Sequence, residues 1–175
     1  MQRSGLKLAN VCFLLADGYE DSEMKNPYDA MNEAGHKTVV VGIEKGTELK
    51  GKKGTAAYTS ELSISEVKAT DYDAVIIPGG SAPEALRVSD EVVEFVKQAH
   101  EQGKVIAGIC HGPQVMISAD ILNGVNSTSY IGIRDDVKNA GANFLDQEVV
   151  VDGNIITSRT PKDEPAFIKE ILNKL

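Results

Sequence analysis

Four short apolar runs, separated by amphipathic or glycine-broken stretches, limit what this chain can fold into. Residues 8–15, 37–41, 73–77 and 104–109 are rich in Val, Ile and Leu and too short for helices, so they read as buried strands. Between them, residues 21–34 read as a helix stopped by Gly35. Residues 90–102 place Val92, Val93, Phe95, Val96 and Ala99 on one helical face, started by Ser89 or Asp90 and ended by Gly103. Residues 111–122, 135–140 and 163–175 read as further helices, the last behind Pro161. Residues 44–61, polar and glycine-containing, suit a hairpin, and Asp152-Gly153-Asn154 turns a second one between residues 148–151 and 155–158. Strands alternating with helices imply an α/β chain with a mostly parallel sheet covered on both faces. Such open sheets place their sites beyond the carboxyl ends of the strands, where residues 17–21, 78–84 and 110–113 form loops.

Composition narrows the function. The chain has 175 residues, 42% of them hydrophobic, which suits one domain over residues 1–175 with a real core. Against 18 basic residues stand 26 acidic ones, a net charge of −8, so no nucleic acid and no anionic membrane is expected as partner. Two distant cysteines make no disulfide framework and point to a reducing, cytoplasmic setting. Residues 8–16 after Arg3 and Lys7 imitate a signal peptide faintly but run into acidic residues without a cleavage pattern, and no run is long enough to span a membrane. With three histidines and no metal-type Cys or His spacing, neither a metal nor a cofactor is expected. Residues 46–53 imitate a phosphate-binding loop, but Lys53 stands where Ser or Thr is required and no helix follows.

The chemistry concentrates at Gly108-Ile109-Cys110-His111-Gly112, a Gly-x-nucleophile-x-Gly pattern between a strand and a helix. A sharp turn there exposes the nucleophile at the sheet top, and the glycines allow close backbone approach. A helix N-terminus favours thiolate, and the adjacent His111 can serve as base or ion-pair cation. Cys12 reads as core, and His36 and His100 as uninvolved. Glu20, on the same sheet edge, could donate a hydrogen bond to sulfur if protonated, or could simply favour a helix start. The Pro78-Gly79-Gly80-Ser81 loop could supply oxyanion-hole N–H groups or be only a tight turn.

These motifs resemble the PfpI branch of the ThiJ/PfpI superfamily, which includes the Parkinsonism-associated deglycase. The resemblance spans residues 7–175 and rests on Tyr19-Glu20-Asp21, Gly51-Lys52-Lys53-Gly54, Ile76-Ile77-Pro78-Gly79-Gly80, Ala82-Pro83-Glu84, Ile109-Cys110-His111-Gly112-Pro113-Gln114, Thr128-Ser129-Tyr130 and Val149-Val150-Val151-Asp152-Gly153. It implies a flavodoxin-like three-layer sandwich of the class I glutamine amidotransferase kind. It implies Cys110 as nucleophile, His111 as its base, Glu20 as the carboxyl touching sulfur, and Gly80 and His111 N–H as the oxyanion hole. It further implies that Glu84 from a neighbouring subunit of a homodimer or hexamer orients His111, and that Gly79, Tyr130 and Tyr19 border the substrate. Lys53, where the family often has His, and Ile131, where it often has Pro, depart from the pattern.

The resemblance implies a cysteine hydrolase or lyase acting on peptides or on glycated or dicarbonyl (methylglyoxal-type) substrates in stress protection. A glutamine amidotransferase is excluded because it needs a later histidine, and none follows His111. The alternative is a redox sensor or holdase chaperone in which Cys110 oxidises without turnover.

Overall fold

The computed structural model describes residues 7–175; Arg3 lies outside them. The chain runs β1 (Asn10–Leu14), α1 (Asp21–Glu33), β2 (Lys37–Gly42), β3 (Glu48–Lys50), β4 (Ala57–Thr59), β5 (Leu62–Ser63) and β6 (Ala74–Ile77). It continues through α2 (Ala82–Arg87), α3 (Asp90–Glu101), β7 (Val105–Ile109), α4 (Pro113–Ser118), β8 (Asn126–Ser127), α5 (Arg134–Asn139), β9 (Asn143–Phe144), β10 (Val149–Asp152), β11 (Ile155–Ser158) and α6 (Glu164–Lys174). The main sheet has seven strands in the order β10-β11-β7-β6-β1-β2-β5, and only β10 runs antiparallel. The sheet is covered on both sides: α1 packs with α6, while α2 and α3 pack with α4. This is the flavodoxin-like sandwich.

The buried position of the central strands explains their continuous apolar runs. Val11–Leu14, Ala74–Ile77 and Val105–Ile109 are buried along their whole length, as strands covered on both faces require. From β1 the chain pairs first with β2 on one side and then with β6 on the other, so a crevice opens between the carboxyl ends of β1 and β6. An isolated bridge between Tyr19 and Gly80 closes the base of that crevice.

Residues 44–61 do form a hairpin: β3 and β4 pair antiparallel with Leu49 opposite Tyr58. The lysines of the imitation phosphate loop sit in its turn, with no helix behind them. The helix expected over residues 111–122 is shorter, because Cys110 to Gly112 make the elbow itself, Pro113 starts α4, and Asp120 ends it in a left-handed conformation (φ 58°). Helix α2 fills what reads as a loop: Pro83 is suited to a first turn and only six residues follow the Gly-Gly bend.

At Gly112 an added Cβ would run into the Ile77 carbonyl oxygen and lie 2.8 Å from the Ile109 nitrogen, both backbone atoms that cannot yield. Gly112→Ala is therefore expected to cost at least about 2 kcal/mol, read as a lower urea midpoint with an unchanged slope.

Candidate active site

Cys110 ends β7 with φ 62°, a left-handed conformation costly for a residue with a side chain. Three hydrogen bonds hold it there: Cys110 N–H donates to the Ser158 carbonyl at 3.0 Å, Tyr130 N–H donates to the Cys110 carbonyl at 3.0 Å, and Gly112 N–H closes onto the Ile109 carbonyl at 2.8 Å. The bend is tight at Gly108 as well: a Cβ there would lie 2.8 Å from the Met116 terminal methyl, which can swing aside, and 3.2 Å from the Gly112 backbone carbon. The bend brings Cys110 Sγ to 3.3 Å from His111 Nδ1. The His111 ring stacks on Tyr130 with centroids 4.9 Å apart and planes inclined by 27°, which fixes its orientation.

Two acids from the start of α1 have different fates. Glu20, the residue expected to touch the sulfur, is buried but turned to the hairpin: Lys52 Nζ lies 2.9 Å from Oε1 and Lys53 Nζ 2.9 Å from Oε2. Oε2 has the Lys53 charge beside it but no well-directed donor. Burial alone would raise the Glu20 pKa, yet hydrogen bonds and charge from the two lysines outweigh it and hold the carboxyl below its usual range. The acid that bears on the nucleophile is Glu23, one helical turn later and wholly buried. Its Oε1 accepts from Gly79 N–H at 2.9 Å, and its Oε2 has no partner. Burial pushes Glu23 up to about 8, with the Glu20 charge adding to the rise, so it is protonated at neutral pH. A Cβ on Gly79 would lie 2.5 Å from Glu23 Oε1 and 2.8 Å from Cys110 Cβ, so these three residues are packed as tightly as glycine permits.

The thiol itself is pushed up to about 12, first by burial and then by the Glu23 charge, against the opposing pull of His111 and Gly80 N–H groups and of Lys52. A protonated resting sulfur needs an acceptor, and His111 provides one, because burial and the Lys52 charge hold its pKa below the usual value. An Sγ–H donor to Nδ1 leaves the ring proton on Nε2, facing outward. There a cavity of about 310 Å³ is lined by Lys52, Gly80, Ser81, Glu84, His111 and Gln114. Within the chain Glu84 is near enough for its charge to raise the His111 pKa, though no hydrogen bond joins the two.

The Gly80 N–H bears on the sulfur, and Tyr130 stacks on the imidazole. Gly79 does not line the cavity; it lies behind the nucleophile with its N–H on Glu23. Tyr19 does not border it either: the ring is fully buried, and its hydroxyl proton is shared between the Leu49 carbonyl at 3.2 Å and the Ala56 carbonyl at 3.0 Å. Glu23 and Lys52 are the residues that sequence reasoning missed as participants. An acid on the inward side of an otherwise apolar helix face was the available sign for Glu23. Cys12 is buried, which pushes its thiol up, and His36 accepts from Ala9 N–H far from the site. Among the described residues no group of three His, Cys, Asp or Glu side chains gathers as for a metal ion.

Residues 9–174 match the model of the DJ-1/PfpI family. "Deglycase PfpI" of Pyrococcus furiosus is 44% identical over 94% of this chain and 98% of its own length. "Protein/nucleic acid deglycase 2" of Escherichia coli is 45% identical over 94% of this chain and 96% of its own. Among solved structures, a two-domain protein from Anabaena variabilis with DJ-1/ThiJ/PfpI-like and ferritin-like domains superposes with a TM-score of 0.94 at 42% identity, covering 95% of this chain and 48% of that one.

Above about pH 8 the ionised Glu23 adds a negative charge beside Cys110 and disfavours thiolate. Glu23→Gln removes that charge, so the pH midpoint of Cys110 alkylation by iodoacetamide is expected to fall. Stability carries the opposite record of the same shift. In the wild type Glu23 favours the fold below its ordinary carboxylate pKa, and this contribution is lost as pH rises toward 8; the Gln variant lacks that slope in pH-resolved denaturation.

Proposed function

Because the chain belongs to the DJ-1/PfpI family, we propose that it is a cysteine-dependent hydrolase or lyase acting on glycated or dicarbonyl (methylglyoxal-type) compounds or on peptides, with a role in stress protection. The observation that carries the reading is the contact of 3.3 Å between Cys110 Sγ and His111 Nδ1 at a left-handed elbow residue. In this reading the sulfur attacks an electrophilic carbonyl carbon as its proton passes to Nδ1. The carbonyl oxygen takes the electron pair and rests on the Gly80 and His111 N–H groups, whose pull on the sulfur supports that orientation. The imidazolium then returns the proton to the leaving nitrogen or to the carbinol oxygen. Nε2–H needs an acceptor, and Glu84 supplies it from a neighbouring subunit of a homodimer or hexamer. The lack of a hydrogen bond between Glu84 and His111 within one chain supports this arrangement. The whole chain acts as one domain in the cytoplasm, where a thiol stays reduced; among the described residues no helix is long and apolar enough to cross a membrane.

A second reading has one observation in its favour. Glu23 is protonated, buried beside Cys110, and has an unpartnered oxygen. Such a group can donate to an oxidised sulfur, so a sensor or holdase role would use peroxide to add two oxygens to Cys110 without turnover.

Cys110→Ala is expected to lower turnover of methylglyoxal, glycated model amines and peptidyl amides by on the order of 10³-fold or more. Undiminished turnover would sink the hydrolase reading. Glu84→Gln should slow the same reactions while leaving peroxide uptake by Cys110, followed by mass spectrometry, unchanged. Equal activity in Glu84→Gln with full sulfinate formation would favour the sensor.

A further inference from the structure

We propose that Lys52, with Lys53 beside it, is a specificity-determining cation that selects electrophilic substrates carrying a carboxylate next to the reacting carbon. The inference rests on the reading of Cys110 as nucleophile and adds a substrate class to it. Lys52 is the one cation among the residues lining the cavity over His111 and Gly80. Its charge reaches both reacting groups, lowering the pKa of His111 and opposing the rise at Cys110.

The lysines are built into place rather than left to wander. Asp21 is buried, and its carboxylate accepts from the backbone N–H groups of Lys53 (2.9 Å), Thr55 (2.8 Å) and Ala56 (3.0 Å) and from the Thr55 hydroxyl (2.9 Å). Gly51 packs so closely on that carboxylate that no Cβ fits. Gly18 N–H donates to the Lys50 carbonyl at 2.9 Å, and Lys52 N–H to the Tyr19 carbonyl at 2.9 Å, which ties both ends of the turn to the crevice. Glu20 then holds the two ammonium groups from below. The backbone of the turn is thus fixed, while the side chains stay 49% (Lys52) and 62% (Lys53) exposed, paired with Glu20 and open to a ligand.

Charge balance sets the ligand. Lys52 and Lys53 flank the ionised Glu20, a local surplus of one positive charge toward the cavity; the Asp21 carboxylate balances it from behind the turn, where backbone N–H groups and the Thr55 hydroxyl already occupy its oxygens. Each ammonium has three donors and Glu20 occupies one. That surplus suits a monoanion such as a carboxylate. A phosphate dianion would carry more charge than that local surplus, and Glu84 across the same cavity, which opposes any anion, would oppose it more strongly than a monoanion.

The test compares alkylation of Cys110 by iodoacetate and by iodoacetamide at neutral pH, followed by mass spectrometry. In both, sulfur displaces iodide from the same methylene carbon and releases one proton; the reagents differ only in carboxylate against carboxamide. The ratio of the two rates cancels the thiolate fraction, so a change in thiol pKa alone cannot move it. Lys52→Met is expected to lower the iodoacetate-to-iodoacetamide ratio by about five- to tenfold, Lys53→Met by less, and Lys52→Arg by little, with added salt shrinking the wild-type ratio. An unchanged ratio in Lys52→Met and Lys53→Met overturns the proposal. Should Lys52→Met unfold, both rates rise together toward those of a free thiol, and the Lys53→Met ratio decides. Glyoxylate and glyoxal form the matching substrate pair, and kcat/KM should favour glyoxylate in a Lys52-dependent manner. Absence of Cys110-dependent turnover of both, with the alkylation ratio still governed by Lys52, would refute the catalytic reading separately.

Discussion

The hydrogen bond from Gly79 N–H to Glu23 Oε1 joins the parts on which the site depends. It ties the start of α1 to the end of β6 across the crevice, underneath the nucleophile, with no solvent access. A buried amide without a partner would be costly, and so would a buried ionised carboxylate. One arrangement answers both: the amide has its acceptor, and the carboxyl remains protonated to about pH 8. That neutral acid permits a thiol nucleophile to sit against the base of α1. The left-handed backbone of Cys110 fits into the same packing, because Gly79 leaves just enough room for its Cβ.

Around this centre the proton inventory is coherent. Cys110 is a thiol at rest, Glu23 a neutral acid, and His111 a neutral imidazole, each held in that form chiefly by burial. The ionised groups, Glu20 with Lys52 and Lys53, lie on the other side toward the hairpin. The two ammonium groups are thereby kept at the rim, where water reaches them, with the buried Glu20 paired to both, and neutral donors and acceptors meet the sulfur and imidazole. Neutral groups of this kind can exchange a proton during attack without first separating charge in a dry site.

The elbow was legible in the sequence because it is local: five consecutive residues carry Cys110, His111 and the two glycines that flank them. The central strands were legible because full burial leaves uninterrupted apolar runs. What could not be read was anything that turns on helix register across the crevice. Glu20 and Glu23 differ by three positions, almost one turn, and both are buried; only the packing of α1 on β6 decides which bears on the sulfur. Tyr19 misled for a similar reason, since a tyrosine beside a site serves equally as a lining residue or as an anchor, and the hairpin carbonyls of Leu49 and Ala56 claim its hydroxyl. Helix α2 escaped notice because six residues are too few to show a helical period.

The β3–β4 ribbon stands outside the main sheet and is held to it by Tyr19, Asp21 and the backbone of residues 18–19. The side chains at its tip reach the elbow through charge: Lys52 lowers the pKa of His111 and opposes the rise at Cys110. The architecture therefore puts Cys110 and His111 on the main sheet and the cations that bear on them on an appended loop. The buried Glu20 carboxylate depends on the two lysines, so the tip can vary without cost only where Glu20 keeps a cationic partner.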